Sequence, residues 1–334
     1  MVGGGEIPMN VLPSGGGSPR IDARSLNFCL FLFVAALFVV APAHATRAEN
    51  GTTFDGPGGK IYYEVIGSSN AIPLVLVNGG PGLDHLYLHT STAWDVLVRS
   101  RRVIFYDQRG NGRSSPLKEG QSCTLADQID DLDALRAHLG LEKMILLGSS
   151  WGGYLSMAYA ARHAERVAGL ILVDSAGPKW DEKSDLDDKV YPEIVEREKS
   201  LEFAMEFRDK AAKDQYNRED FSMLFYSPEK RDAFLALLMP VKFNWEVNEA
   251  VSHDLARFDL TPELPKFRFP TLVITGRFDM NIAPVFAYQM YRFIPGAQFT
   301  VFERSGHLPF TEEPDAFASR VQSFLGTIPS GTVN

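Results

Sequence analysis

Cysteine, clustered basic charge and long apolar runs are all scarce in this chain of 334 residues, and each scarcity closes off a class of function. Two cysteines, Cys29 and Cys123, cannot build a disulfide framework. Cys123 has no adjacent histidine to activate it and reads as a packing residue. Asp and Glu outnumber Lys and Arg by 42 to 33, for a net charge of -9. The basic residues are not clustered, so neither a nucleic acid nor an anionic membrane is an expected partner. There is no Walker loop, and no G-x-G-x-x-G follows the first strand, which removes nucleotide cofactors. No pair of histidines stands with a carboxylate at metal-ligand spacing, so the expectation is no metal and no cofactor. No internal repeat is present.

The longest apolar run, Phe28 to Ala41 (FCLFLFVAALFVVA), is shorter than the roughly 20 residues that cross a bilayer. It follows a Gly-, Pro- and Ser-rich stretch containing Arg20 and Arg24 and precedes Ala43-His44-Ala45, a small-x-small pattern. These are the parts of a signal peptide, read as residues 1–45 with cleavage after Ala45. The alternative is an uncleaved amino-terminal anchor, and both readings put the rest of the chain outside the cytoplasm. Asn50-Gly51-Thr52 matches a glycosylation sequon, a pattern short enough to recur by chance.

What the chain does have is 45% apolar residues, enough for a sizeable core, and a short motif at residues 148–152. Gly148-Ser149-Ser150-Trp151-Gly152 is a G-x-S-x-G pattern. The apolar run up to Leu147 suits a buried strand, and Trp151 to His163 carries apolar residues at helical spacing. Ser150 therefore occupies a sharp strand-to-helix turn, with glycines at minus two and plus two giving it room. A hydroxyl there projects from the C-terminal edge of a sheet, and the Trp151 amide begins the helix. Ser149 lacks that glycine pair.

Around this turn the chain alternates. Strand patterns occur at Gly59 to Ile66, Ile72 to Val77, Arg102 to Tyr106, Gly169 to Val173, Thr271 to Thr275 and Gln298 to Phe302. Helical patterns fall at about Leu86 to Leu97, at Thr124 to Leu139 with Thr124 as cap and Asp127 three positions on, at Ala283 to Phe293 and at Asp315 to Leu325. The expected fold class is α/β, a mainly parallel sheet covered by helices on both faces. From Pro178 to Phe267 the alternation lapses into charged, aromatic and helical sequence, which reads as a helical cap inserted over the strand ends. The domain reading is core at 46–177 and 268–334, cap at 178–267.

Asn78-Gly79-Gly80-Pro81-Gly82 must be a tight loop, and its amides are candidates for an oxyanion site together with Trp151. The loop Asp107-Gln108-Arg109-Gly110-Asn111-Gly112-Arg113-Ser114 reads as a brace between neighbouring loops, through Asp107 and the two arginines. Parallel strands bring their C-terminal ends to one edge, so Ser150, Asp279 and His307, each just past a strand, can meet there. Serine, aspartate, histidine is the chain order of the α/β-hydrolase triad. In that chemistry the imidazole takes the serine proton, the aspartate orients the imidazole, and amides of Gly80 and Trp151 hold the oxyanion. Asp174 also ends a strand and is the rival acid. His85, His89, His138, His163 and His253 read as surface, loop or cap residues.

Five motifs, Gly79-Gly80-Pro81-Gly82, DQRGNGRS at 107–114, GSSWGG at 148–153, GRFD at 276–279 and SGH at 305–307, together resemble the α/β-hydrolase peptidases of the prolyl aminopeptidase type, including tricorn-interacting-factor-like aminopeptidases. The resemblance spans nearly all of the chain after the leader. Asn78 departs from it, standing where the family usually has His, and the change is expected to alter loop bracing more than chemistry. The resemblance implies cap glutamates that bind a substrate's free α-amino group, and places that role on Glu246 and Glu249. Phe243, Trp245 and Tyr226 then wall an apolar pocket for proline or a similar side chain. The implied activity is release of an amino-terminal residue from a small peptide or amide through an acyl-enzyme. An esterase or lactonase on the same triad and a non-catalytic binding protein of this fold are the alternatives.

Overall fold

The computed structural model describes residues 51–180, 186–206, 209–237 and 243–328. The leader and the Asn50 sequon residue lie outside them. Eight strands form one sheet: β1 (Thr52–Gly56), β2 (Gly59–Ile66), β3 (Leu74–Val77), β4 (Val103–Tyr106), β5 (Met144–Ser149), β6 (Val167–Val173), β7 (Thr271–Gly276) and β8 (Gln298–Phe302). Their order across the sheet is β1-β2-β4-β3-β5-β6-β7-β8. Only β1 and β2 run antiparallel to their neighbours, as the hairpin on one edge. Pairing from β4 to β8 is parallel throughout.

Four of the inner strands, β3, β4, β5 and β7, are buried at every residue, which is why their sequences are continuous apolar runs and do not alternate. Period-two geometry then sends neighbours to opposite faces. Val75, Leu146, Leu172 and Val273 join one core layer, under the helices Leu125–His138 and Trp151–Arg162. Leu76, Leu147, Ile171 and Ile274 join the other, packed with the carboxy-terminal helix Pro314–Leu325. Burying a Leu or Ile side chain contributes roughly 1.5–3 kcal/mol, so each layer is a large apolar reservoir. Thr124 caps its helix by accepting from the Asp127 amide while the Asp127 carboxylate returns the bond to the Thr124 amide.

Two local readings are revised. The single helix expected over Leu86 to Leu97 is a 3-10 segment, His85–Thr90, followed by a short helix, Ala93–Leu97. Asp84 caps the first piece, and the Ser91 side chain turns away to the Phe310 carbonyl, which breaks the run. The nucleophile strand also extends two residues past Leu147, to Ser149.

Between β6 and β7 no sheet strand occurs among the described residues. The chain instead forms helices at Asp187–Val190, Pro192–Glu206, Lys210–Ser222, Pro228–Leu237 and Trp245–Leu255. These supply the cap. Val247, Val251 and Leu255 anchor its last helix in the core layer beneath.

Candidate active site

Ser150 follows the last residue of β5 with φ 56° and ψ -124°, in the left-handed half of the map that a serine enters only when its surroundings enforce it. Here they do. Its amide donates to the Val173 carbonyl at 3.0 Å, and its carbonyl accepts from Gly153 at 2.9 Å and Ala176 at 3.1 Å. A Cβ at Gly148 would collide with the Gly152 carbonyl, and one at Gly152 with the Val77 carbonyl. The turn therefore closes only with glycine at both positions.

The Gly79–Gly82 loop approaches this turn from β3. Gly79 donates its amide to the Tyr87 hydroxyl at 2.7 Å. The amides of Gly80 and Trp151 have no protein acceptor among the described residues. Asn78 is buried and its side-chain amide spans the loop to the Leu83 carbonyl at 2.8 Å, so the residue that departs from the family pattern does brace the loop. Gln108 completes the frame: its side-chain carbonyl accepts from the Trp151 indole at 2.8 Å and its amide donates to the Asn78 carbonyl at 2.9 Å. The sequence reading assigned bracing to Asp107, Arg109 and Arg113 and missed Gln108. Asp107 takes the Arg113 amide at 2.8 Å, and Arg109 is paired with buried Asp131 at 2.7 Å.

On the other side, His307 Nδ1 lies 2.7 Å from Asp279 Oδ2, and both residues are buried. The Ile282 amide donates to the second Asp279 oxygen at 2.9 Å, which fixes the carboxylate. The His307 loop is tied to the cap by its own amide, donated to the Leu224 carbonyl at 2.7 Å. Burial opposes a charged imidazole, yet the adjacent Asp279 outweighs it and raises the His307 pKa. Asp174 is not the residue on His307. One of its oxygens accepts from the Gly276 amide at 2.8 Å, and its carboxyl stands beside Asp279. Complete burial and that neighbouring charge push its pKa well up, so its charged form is strongly disfavoured.

Two cavities meet at the serine. One, of about 260 Å³, is lined by Gly80, Ser150, His307, Phe243 and Trp245 among others. The second, of about 470 Å³, shares Gly80, Ser150, Tyr216, Asp220 and Asn281 with the first and adds Asp187 and Glu198. The three cap carboxylates have lost most of their water. Burial, with mutual repulsion, raises Asp187 to about 7 and Glu198 to about 8, and burial raises Asp220 to about 6. One oxygen of Asp187 and one of Glu198 are buried without a hydrogen-bond partner. The charges acting on the three are other carboxylates and His307. Such a cluster selects for a cation.

Glu246 and Glu249 are not part of it. Both are exposed and line neither cavity. On the helix Trp245–Leu255, Val247 and Val251 turn to the core while Trp245, Asn248 and Ser252 turn to the cavities, which leaves 246 and 249 on the solvent side. Tyr226 is likewise elsewhere, stacked on Phe278 at 4.5 Å. Phe243 and Trp245 do wall the smaller cavity.

The histidine reading also changes at His85. It is fully buried, with Nδ1 2.7 Å from Asp107 Oδ1 and Nε2 3.3 Å from Glu64 Oε1. Nothing local announces this, because Glu64 lies 21 positions upstream and Asp107 22 downstream.

Comparison with known proteins places this geometry. Residues 72–314 match the model of the alpha/beta hydrolase fold. The chain is 33% identical over 288 residues to a proline iminopeptidase of Lactobacillus helveticus, an alignment covering 80% of this chain and 95% of that one. It is 31% identical over 281 residues to a proline iminopeptidase of Clostridium botulinum, covering 80% and 94%. Among solved structures, a thermophilic esterase from Thermogutta terrifontis aligns with a TM-score of 0.65 and 28% identity, over 83% of this chain and 98% of the esterase.

Proposed function

Since the chain belongs to the proline iminopeptidase family of α/β hydrolases, we propose that it is an exported serine aminopeptidase releasing an amino-terminal residue, proline by preference, through an acyl-enzyme. The observation that carries this reading is a set of desolvated carboxylates, Asp187, Glu198 and Asp220, the first two each with a buried oxygen lacking a hydrogen-bond partner, in a cavity that opens on Ser150. An esterase has no use for three desolvated acids beside its nucleophile. A substrate ammonium does, since each charge-assisted hydrogen bond it makes there contributes roughly 1.5–3 kcal/mol. An ammonium held in that cavity keeps the carbonyl of the same residue, the scissile one, in the space shared with Ser150.

His307 takes the Ser150 proton as the oxygen attacks the carbonyl, and Asp279 on Nδ1 keeps Nε2 as the accepting nitrogen and stabilises the imidazolium. The Gly80 and Trp151 amides receive the oxyanion, each donor lowering the barrier by roughly 3 kcal/mol. His307 then returns the proton to the leaving amine, and water repeats the sequence on the acyl-enzyme. Phe243 and Trp245 offer a compact aromatic wall for the pyrrolidine ring. Export rests on the leader at 1–45, outside the described residues.

A second reading, a serine esterase on the same machinery, is favoured by the likeness to the Thermogutta esterase. Proline naphthylamide, its N-acetylated form and a p-nitrophenyl ester separate the two. The expected result is a kcat/KM for the free-amine amide about a hundredfold above the blocked one, the loss of one charge-assisted contact. Equal rates on blocked and free amides give the site to the esterase. The same preparation, expressed with its leader in a secreting host, should begin at Thr46, and recovery of the full-length chain in the cytoplasm would remove export.

A further inference from the structure

We propose that Glu64, His85 and His89 form a binding site for one divalent transition cation of the zinc class, separate from the serine site. Glu64 is on β2, and the two histidines lie four apart on the 3-10 segment His85–Thr90 that follows the Gly79–Gly82 loop. His85 Nε2 and Glu64 Oε1 are 3.3 Å apart, and His89 Nε2 and Glu64 Oε2 are also 3.3 Å apart. One donor atom from each residue falls within 4.8 Å of the others. Zinc–nitrogen and zinc–oxygen bonds of about 2.0–2.1 Å in a tetrahedron put neighbouring donors about 3.3 Å apart, the spacing each histidine already has to one of the two Glu64 oxygens.

Two further features fit a metal better than a salt bridge alone. Asp107 Oδ1, 2.7 Å from His85 Nδ1, also accepts the His85 amide at 2.9 Å. That fixes the ring and turns Nε2 toward Glu64, as the carboxylate behind a metal-bound imidazole does. His89 Nε2 is buried and makes no good hydrogen bond, although Glu64 is beside it. The Tyr62 hydroxyl also donates to Glu64 Oε1 at 2.8 Å, and the Arg113 guanidinium stands 3.6 Å from that oxygen, whereas Oε2 faces His89. Two imidazoles and one carboxylate suit zinc, cobalt, nickel or copper(II) over calcium or magnesium. His89, with a fifth of its side chain exposed, gives access to solvent, from which water completes the coordination. The cation takes the place of the proton that His85 Nε2 otherwise points at Glu64, while Nδ1 keeps its bond to Asp107, and it ties β2 to the turn behind the oxyanion loop.

The test uses the full chain without a histidine tag, stripped with chelator and titrated with Zn2+, Co2+ and Mg2+ at pH 8. One Zn2+ per chain should bind with Kd of about 10 μM or tighter and raise Tm, Mg2+ should do neither, and Co2+ should give visible absorption of a low-coordinate nitrogen–oxygen site. His89→Ala, a change at the accessible ligand, should weaken Zn2+ at least about a hundredfold, and Glu64→Gln should do the same. Absence of stoichiometric Zn2+ binding, or equal binding by wild type and His89→Ala with circular dichroism unchanged, overturns the proposal.

Discussion

His307 and His85 are built alike and do different things. Each is buried, each has Nδ1 2.7 Å from an aspartate oxygen, and each has its pKa raised, His85 to about 9. Burial opposes the charge in both, and the adjacent carboxylates outweigh it. The difference lies on the far nitrogen. His307 lines a cavity that contains Ser150, with Asp174 beside its aspartate. His85 Nε2 meets a second carboxylate, Glu64, so each ring nitrogen faces an anion. An imidazole held by one carboxylate and open on the other side can exchange protons with a substrate. An imidazole between two carboxylates is a clamp. Aspartate on a buried histidine is therefore no evidence of catalysis until the opposite nitrogen has been followed to its neighbour.

The largest expected effect breaks the comparison directly. His307→Ala should lower kcat by about 10⁴-fold or more on amide and ester alike while leaving Tm close to wild type. His85→Ala should do the reverse, costing about 3–5 kcal/mol of stability by stranding Asp107 and Glu64, with kcat of the folded fraction within about tenfold of wild type. Urea denaturation beside single-turnover kinetics reads both. A His85 variant that folds normally yet loses turnover would make the two histidines equivalent.

A smaller effect sharpens the contrast between chemistry and recognition. Asp220→Asn and Glu198→Gln should each raise KM for a free-amine amide roughly 10- to 100-fold and leave p-nitrophenyl ester hydrolysis unchanged. The same groups set a pH signature. They ionise as pH rises through about 6 to 8, so the ratio of free-amine amide to ester kcat/KM climbs over that window, deprotonation of His307 being common to both. Their folded pKa values lie above the unfolded ones. The stability tied to them is thus complete below pH 4 and is lost as pH rises through 6 to 8. Glu198→Gln should accordingly raise Tm by about a few degrees at pH 8 and hardly at pH 4. A flat ratio of amide to ester rates between pH 5.5 and 8 would detach the cluster from amine binding.

The smallest effect concerns Asp174. With burial and Asp279 both disfavouring its charged form, it should tolerate Asp174→Asn with less than about a tenfold change in kcat, whereas Asp279→Asn costs about 10⁴-fold. Comparable losses in the two would make Asp174 a working anion.

Much of the framework was legible in the chain. Continuous apolar runs marked inner strands because both faces of a parallel sheet are covered, and the Gly148–Gly152 pair marked the turn because no Cβ fits there. The partnership of His307 with Asp279 followed from topology, since both lie past strands that end at one edge. The cap was another matter. Acidic residues are frequent from 187 to 249, and a carboxylate facing a cavity has the same local pattern as one facing water, so Asp187, Glu198 and Asp220 could not be told from Glu246 and Glu249. Gln108 was hidden for a related reason: its two bonds reach residues 30 and 43 positions away.

Local sequence alone thus determined where the chain must bend, which runs must be inside, and which hydroxyl the strained turn presents. These depend on steric limits and apolar periodicity within a few residues. Tertiary structure alone decided which carboxylates lose their water and which histidine is clamped, because desolvation and charge–charge distance depend on groups brought together from remote parts of the chain.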